Sequence, residues 1–199
     1  MKVSEAKKIT GGLSKPSKMP GPAYNLPAYK CITGAKLAKI PGSVCAGCYA
    51  LKGRYRFSNV RDALDRRLES LQHPQWVDAM VTLIGKQPYF RWHDSGDLQS
   101  AWHLKQIFEV CVRTPGTRHW LPTREVKFLK LLDPEAVPGN LTIRISSHMI
   151  DQPPVKFWPW TSTVGSSGGT CPAPQNGNKC GPCRACWDRK VQNIQYHEH

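Results

Sequence analysis

Between residues 58 and 146 the hydrophobic pattern switches repeatedly between a helical period and short apolar runs. That alternation limits the fold more than any other feature. Ser58 precedes Val60, Ala63, Leu64, Leu68 and Leu71, which share one helical face. Pro74 suits the first turn of a second helix through Ile84. Residues 89–93 (YFRWH) read as a buried strand running into the turn Asp94-Ser95-Gly96-Asp97. Ser100 is a helix cap before Leu104, Ile107, Phe108 and Cys111, and Cys111 reads as a core residue on that face. A short strand at His119–Leu121 follows, then a helix from Arg124 to Leu132 capped by Thr123, then strands at Leu141–Ser146 and Thr161–Val164.

Strands alternating with helices imply βαβ units and a parallel sheet. Four or five strands are too few for a complete eight-unit barrel, which takes about 250 residues. The expected class is therefore α/β, a partial (open) TIM-type β/α barrel with a Cys-rich C-terminal tail. Ligands of such sheets lie at the C-terminal strand ends. The polar residues there are His93, Asp94, Ser95, Asp97, Thr123, Arg124, Ser147 and His148. Any one of them reads equally well as a turn or cap residue. Their recurrence on successive strands points to a shared pocket.

The 199 residues suffice for a core and divide into a basic N-terminal arm (1–30), the partial barrel with a cysteine loop (31–164) and a Cys-rich metal-binding tail (165–199), together one compact domain. Residues 1–30 are rich in Lys, Gly and Pro and read as loop or arm, with one short strand at most. Residues 1–61 carry 12 Lys/Arg and a single acid, Glu5, so +11 of the net +14 lies there. Such a stretch attracts polyanions and supplies phosphate contacts, or else forms a solvated face. The run Tyr49, Arg54, Tyr55, Arg56, Phe57 adds aromatics that either stack on bases or pack on the first helix. No run of about 18 apolar residues is present, and MKVSEAKKIT has no apolar leader region. The expected location is cytoplasmic, with no membrane partner.

In a reducing compartment, clustered cysteines read as metal ligands. One group is Cys31, Cys45 and Cys48, the other Cys171, Cys180, Cys183 and Cys186. Each CxxC pair places two thiols on one tight loop. Four thiolates suit tetrahedral zinc or a [4Fe–4S] cluster. Three leave one iron of a cubane open to a substrate or cofactor. The triad is therefore the candidate reactive centre, and the C-terminal four a structural or electron-transfer centre. Structural zinc in the C-terminal four, a single site drawing on both groups and a Cys45/Cys48 redox dithiol remain alternatives. His197 and His199, at the chain end, are not counted as ligands.

The segments NLPAYKC, PGSVCAGCYA, RWHDSGD, LPTRE and CPA…CGPCRACWD resemble the gene product 88 domain proteins of phages and plasmids, over nearly the whole chain. A related phage family carries a similar cysteine loop and is similar to degenerate radical SAM enzymes. The resemblance implies a partial TIM-type barrel, a [4Fe–4S] cluster on Cys31, Cys45 and Cys48, and a place in an infected host cell. That superfamily usually spaces its cysteines CxxxCxxC; the first gap here is 13 residues.

Three functions follow as expectations. The first is a radical-SAM-like enzyme acting on a nucleotide or nucleic acid and drawing on an electron donor. Its SAM amine or ribose would meet Asp94, Ser95 and Asp97, with His93, Thr123 and Ser147 as further cofactor contacts. Arg124 would hold a carboxylate or phosphate, and His148 joins Asp94, Asp97 and Arg124 as a catalytic candidate. The second is a SAM-independent iron–sulfur enzyme of Lewis-acid or desulfidase type. The third is a zinc-stabilised nucleic-acid-binding protein without catalysis.

Overall fold

A computed structural model describes residues 1–198; His199 lies outside the described residues. The strands are β1 (Ala23–Tyr24), β2 (Tyr89–Trp92), β3 (Arg118–Thr123), β4 (Leu141–Ser146), β5 (Thr161–Gly165) and β6 (Asn193–His197). They form one sheet in sequential order, every neighbouring pair parallel, and the sheet is not closed. The α-helices are α1 (Val3–Thr10), α2 (Ile32–Leu37), α3 (Ser58–Ser70), α4 (Trp76–Ile84) and α5 (Ala101–Arg113). The chain is therefore an α/β protein wound steadily in one direction.

Alternation along the strands sorts side chains to two faces. Phe90, Trp92, Leu121, Leu141, Ile143 and Ile145 enter the main core with Trp76 and Met80 of α4 and Leu104, Ile107 and Cys111 of α5. Ser100 caps α5 as expected, its hydroxyl accepting from the His103 amide at 3.0 Å. The opposite face carries Arg91, Trp120, Thr142, Arg144 and Ser146. It is covered too, since all six residues of β4 are buried.

The cover is the Cys-rich segment, which runs across the sheet rather than trailing from it. Arg144 is fully buried, and its guanidinium donates to the carbonyls of Ala185 (2.8 Å), Cys186 (3.1 Å), Asp188 (2.9 Å) and Val191 (3.0 Å). It also donates to the carbonyl of Thr161 at 3.2 Å. Thr142 donates to the Trp187 carbonyl at 3.1 Å, and the Trp187 ring lies edge-on to Trp120 and Tyr89. A buried cation is tolerated only with its donors satisfied, and here carbonyl dipoles take the place of a carboxylate.

Three local expectations change. Residues 1–30, expected as loop or arm, contain α1, whose Ala6 and Thr10 are buried and which packs on α3 and α4. Thr123 does not cap an α-helix: only a single 3-10 turn, Val126–Phe128, follows, because Arg124 and Glu125 are drawn into side-chain contacts elsewhere. The chain end is not frayed through His197 but forms β6, parallel to β5. Among the described residues, no helix is long and apolar enough to cross a membrane.

Arg144→Met should lower unfolding stability in urea by about 3 kcal/mol or more, because several buried carbonyls lose their donor at once. Limited proteolysis should then cut first within residues 171–191.

Candidate functional site

A cavity of about 690 Å³ opens where β2 to β6 end. Every strand end contributes: Asp94, Ser95 and Asp97 after β2, Thr123 and Arg124 at β3, Ser146 and Ser147 at β4, Thr163 and Val164 in β5, Tyr196 and His197 in β6. Cys31, Cys45 and Cys48 stand on its wall. The structure thus brings together the cysteine triad and all but one of the expected strand-end residues. His148 is not on the cavity; its ring Nε2 is 3.4 Å from the Arg124 carbonyl oxygen.

The triad comes from two loops. Cys31 occupies the residue before α2 without a side-chain capping bond, and Cys45 and Cys48 close a tight turn in which the Cys48 amide donates to the Cys45 carbonyl at 3.1 Å. Gly34 is what lets the loops meet: a Cβ there would fall 3.0 Å from the Cys31 Cβ and within 3.7 Å of the sulfurs of both Cys31 and Cys45. Burial pushes the Cys31 thiol up, and the charges of Asp97, Cys48 and Cys45 push it further. Burial raises Cys45 as well, while the Arg124 guanidinium opposes the shift. All eight cysteines are free thiols.

Glu125 fixes this arrangement. It is fully buried, and its carboxylate accepts from the Thr33 amide at 2.7 Å and the Thr33 hydroxyl at 2.8 Å, in the first turn of α2. The carboxylate satisfies a helix N-terminal amide beside Cys31 and pins the loop to the end of β3. Nothing in its spacing announced that role; the one signal was an acid directly after the Thr-Arg pair of LPTRE.

The strand-end polar groups are largely committed to one another. Asp97 accepts from the Leu98 amide (2.7 Å), the Thr123 hydroxyl (2.6 Å) and the Arg124 amide (2.9 Å). Burial nevertheless pushes its pKa up to about 6, the three hydrogen bonds opposing. The Ser95 hydroxyl donates to the Leu26 carbonyl, and Asn25 accepts from the Asp94 amide, so the HDSGD turn is tied to the NLP segment. Asp94 pairs with Arg91 at 2.8 Å and accepts from Tyr55 at 3.2 Å, while the Tyr49 hydroxyl donates to its carbonyl. His93, at φ 56°, is buried with its ring against His103, and burial holds it well below the usual histidine range. The Ser147 hydroxyl is buried without a partner, and the Arg124 Nε donates to the Ser147 carbonyl.

The second cysteine group lies beyond Arg91, on the covered face. The Cys183 amide donates to the Cys180 carbonyl at 3.0 Å, closing a turn like that of Cys45–Cys48. Besides burial, Cys180 feels the charges of Cys171 and Cys183, and Cys186 feels that of Cys180. Cys186 lies 3.2 Å from the Tyr196 hydroxyl. Among the described residues, no group of three or more His, Cys, Asp or Glu could hold a metal ion.

The architecture is thus that of an open, one-directionally wound α/β protein with a thiol-walled cavity at its strand C-termini. The model of the gene product 88 family matches residues 1–189, and the chain belongs to that family. No curated protein and no solved structure matches it.

Asp97 sets a pH signature. Its folded pKa of about 6 stands above the ordinary aspartate value of 3.8, so the fold holds a proton that the unfolded chain releases. The stability this proton contributes is complete below the unfolded pKa and is lost as pH rises toward 6. Thermal scans should show that decline, and Asp97→Asn should flatten it while lowering the melting temperature overall.

Proposed function

We propose that the protein is an iron–sulfur enzyme of radical-SAM-like type, its sheet read as a partial TIM-type barrel, acting on an anionic nucleotide or nucleic-acid substrate. Cys31, Cys45 and Cys48 would hold a [4Fe–4S] cluster and leave one iron without a protein ligand. The observation that carries the reading is the convergence of three free thiols on the wall of a strand-end cavity of about 690 Å³, within the size range of small-molecule sites. Such a cluster supplies a single electron when reduced and an iron to which a substrate can bind.

The chain's own residues divide the remaining work. Arg124, whose charge acts on Cys45, offers a guanidinium to a carboxylate or phosphate in the cavity. The Ser147 hydroxyl, lacking a protein partner, is the free polar group for a bound ligand. Asp97, Thr123 and Glu125 are positioning residues: they hold the end of β3 against the turn after β2 and against the Cys31 loop. Cys171, Cys180, Cys183 and Cys186 would hold a second centre, zinc or a cluster, on the segment that Arg144 fastens to the sheet. Burial of the sheet face behind that segment favours a structural or electron-transfer role over substrate contact.

Anaerobic reconstitution should give a brown protein with about four irons, or about eight if both groups hold clusters. Cys45→Ala and Cys48→Ala should each remove the triad's share of iron, and Cys183→Ala should leave it. Dithionite with SAM should yield 5′-deoxyadenosine and change the EPR spectrum. Neither product nor spectral change would overturn the SAM reading; hydrosulfide release from a thionucleobase would then favour the desulfidase reading, and a colourless protein with stoichiometric zinc the non-catalytic one.

A further inference from the structure

A second concavity, of about 340 Å³, lies beside the first and shares Asp94 with it. Its wall includes Lys15, Asn25, Arg54, Asn59 and Arg67. Arg67 is only 8% exposed, and its Nε donates to the Gly12 carbonyl at 2.9 Å. Among the described residues no carboxylate pairs with Arg67, Arg54 or Lys15. The single acid on the wall, Asp94, is already paired with Arg91. Three cations, one of them buried at a cost that pairing normally offsets, therefore line one pocket with no free anion facing them.

The fold builds this pocket on purpose-shaped backbone. Gly11 ends α1 at φ +74°, and a Cβ there would strike the Arg67 Cγ at 2.9 Å, so the turn presses directly on the arginine stem. The next residue's carbonyl then takes the Nε. Tyr24 donates to the Arg67 carbonyl at 3.0 Å and to that of Thr10 at 2.8 Å, fixing α3 against the end of α1. Arg67 is thus held in place, and Arg54 and Lys15 stand exposed at its mouth. Guanidinium groups bind phosphate oxygens in a planar, bidentate manner that a solvated lysine face does not reproduce.

We propose that this pocket is a phosphate-binding subsite that anchors the substrate, taking the phosphate of a mononucleotide or of a polynucleotide strand. The inference rests on the function above only in calling the anion a substrate; the binding itself needs neither cluster nor SAM. Asp94, which walls both cavities, would separate the anchored phosphate from the thiol-lined space.

The test uses the full chain as purified, with a labelled single-stranded oligothymidine read by fluorescence anisotropy at about 50 mM salt, where phosphate contacts are strongest. Arg54→Glu and Lys15→Glu should each weaken binding about tenfold and reduce the salt dependence, whereas Lys105→Glu, on the exposed face of α5, should change it less than about twofold. Arg67→Lys, checked for an unchanged circular dichroism spectrum, should also weaken binding; if it unfolds the protein, the Arg54 and Lys15 variants decide. Displacement of the oligonucleotide by AMP or inorganic phosphate assigns the pocket to a mononucleotide, and resistance to both assigns it to a strand. Equal losses in all three charge reversals, or no binding of any of these probes, would overturn the proposal. Binding should be the same before and after anaerobic reconstitution with iron and sulfide, so failure here and failure of the cluster reading are separately visible.

Discussion

One guanidinium without a carboxylate organises the middle of this protein. Arg144 rises from a strand otherwise written as LTI and IS, and the carbonyls of four residues between 185 and 191 close around it. Each bond is ordinary, but each belongs to a segment whose regular structure is a single 3-10 turn, Ala185–Trp187. Without the arginine the Cys186 and Val191 carbonyls would be left to water or to a different fold of the segment, and those of Ala185 and Asp188 would keep only the amides of Asp188 and Val191. With it, the Cys-rich stretch becomes the second layer over the sheet. Trp187 is set against Trp120, and Cys186 is set beside Tyr196. The charge that looks misplaced in the strand is therefore what allows the sheet to be covered on its polar face.

A second constraint runs along the strand ends. Asp97, Thr123, Arg124, Glu125 and Thr33 form a continuous chain of hydrogen bonds from the turn after β2 through β3 to the loop of Cys31. Its acceptors are buried carboxylates and its donors are mostly backbone amides, an arrangement that trades solvation for rigidity. The cysteines at the far end are thereby placed by a sheet rather than by a free loop. Arg91 joins the two halves of the molecule: paired with Asp94 on the triad side, it stacks over Trp120 at 4.3 Å and stands within the field of Cys186 and Tyr196 on the other.

Much of this was legible in the residues. Helical spacing located α3, α4 and α5, and the runs YFRW and LTIRIS located their strands, because apolar period and burial coincide there. The pocket at the strand ends followed from topology alone. What escaped notice depended on partners distant in sequence. The strand read as His119–Leu121 continues through Pro122 to Thr123, since the proline borders the cavity and its neighbours keep the pairing. NIQYH carried too little apolar weight to read as a strand, and only pairing with β5 makes it one. Glu125 and Arg144 have roles that appear only once residues 92 and 41 positions away are in place. Lys-rich α1 was hidden because just two of its side chains, Ala6 and Thr10, are buried.

The spacing between Arg144 and its carbonyls has a consequence for how the chain is made. Its acceptors between residues 185 and 191 lie 41 to 47 residues further on, and β6 comes later still. During synthesis, α1 and the helices against the apolar face can dock as soon as β2 to β4 exist. Through that interval the opposite face of the sheet, with its arginine, stands open to the cell. The nascent protein is thus half-lined for a time, and the second layer closes only once residues 185–197 have emerged. The thiol segment therefore meets a sheet whose first five strands precede it in synthesis.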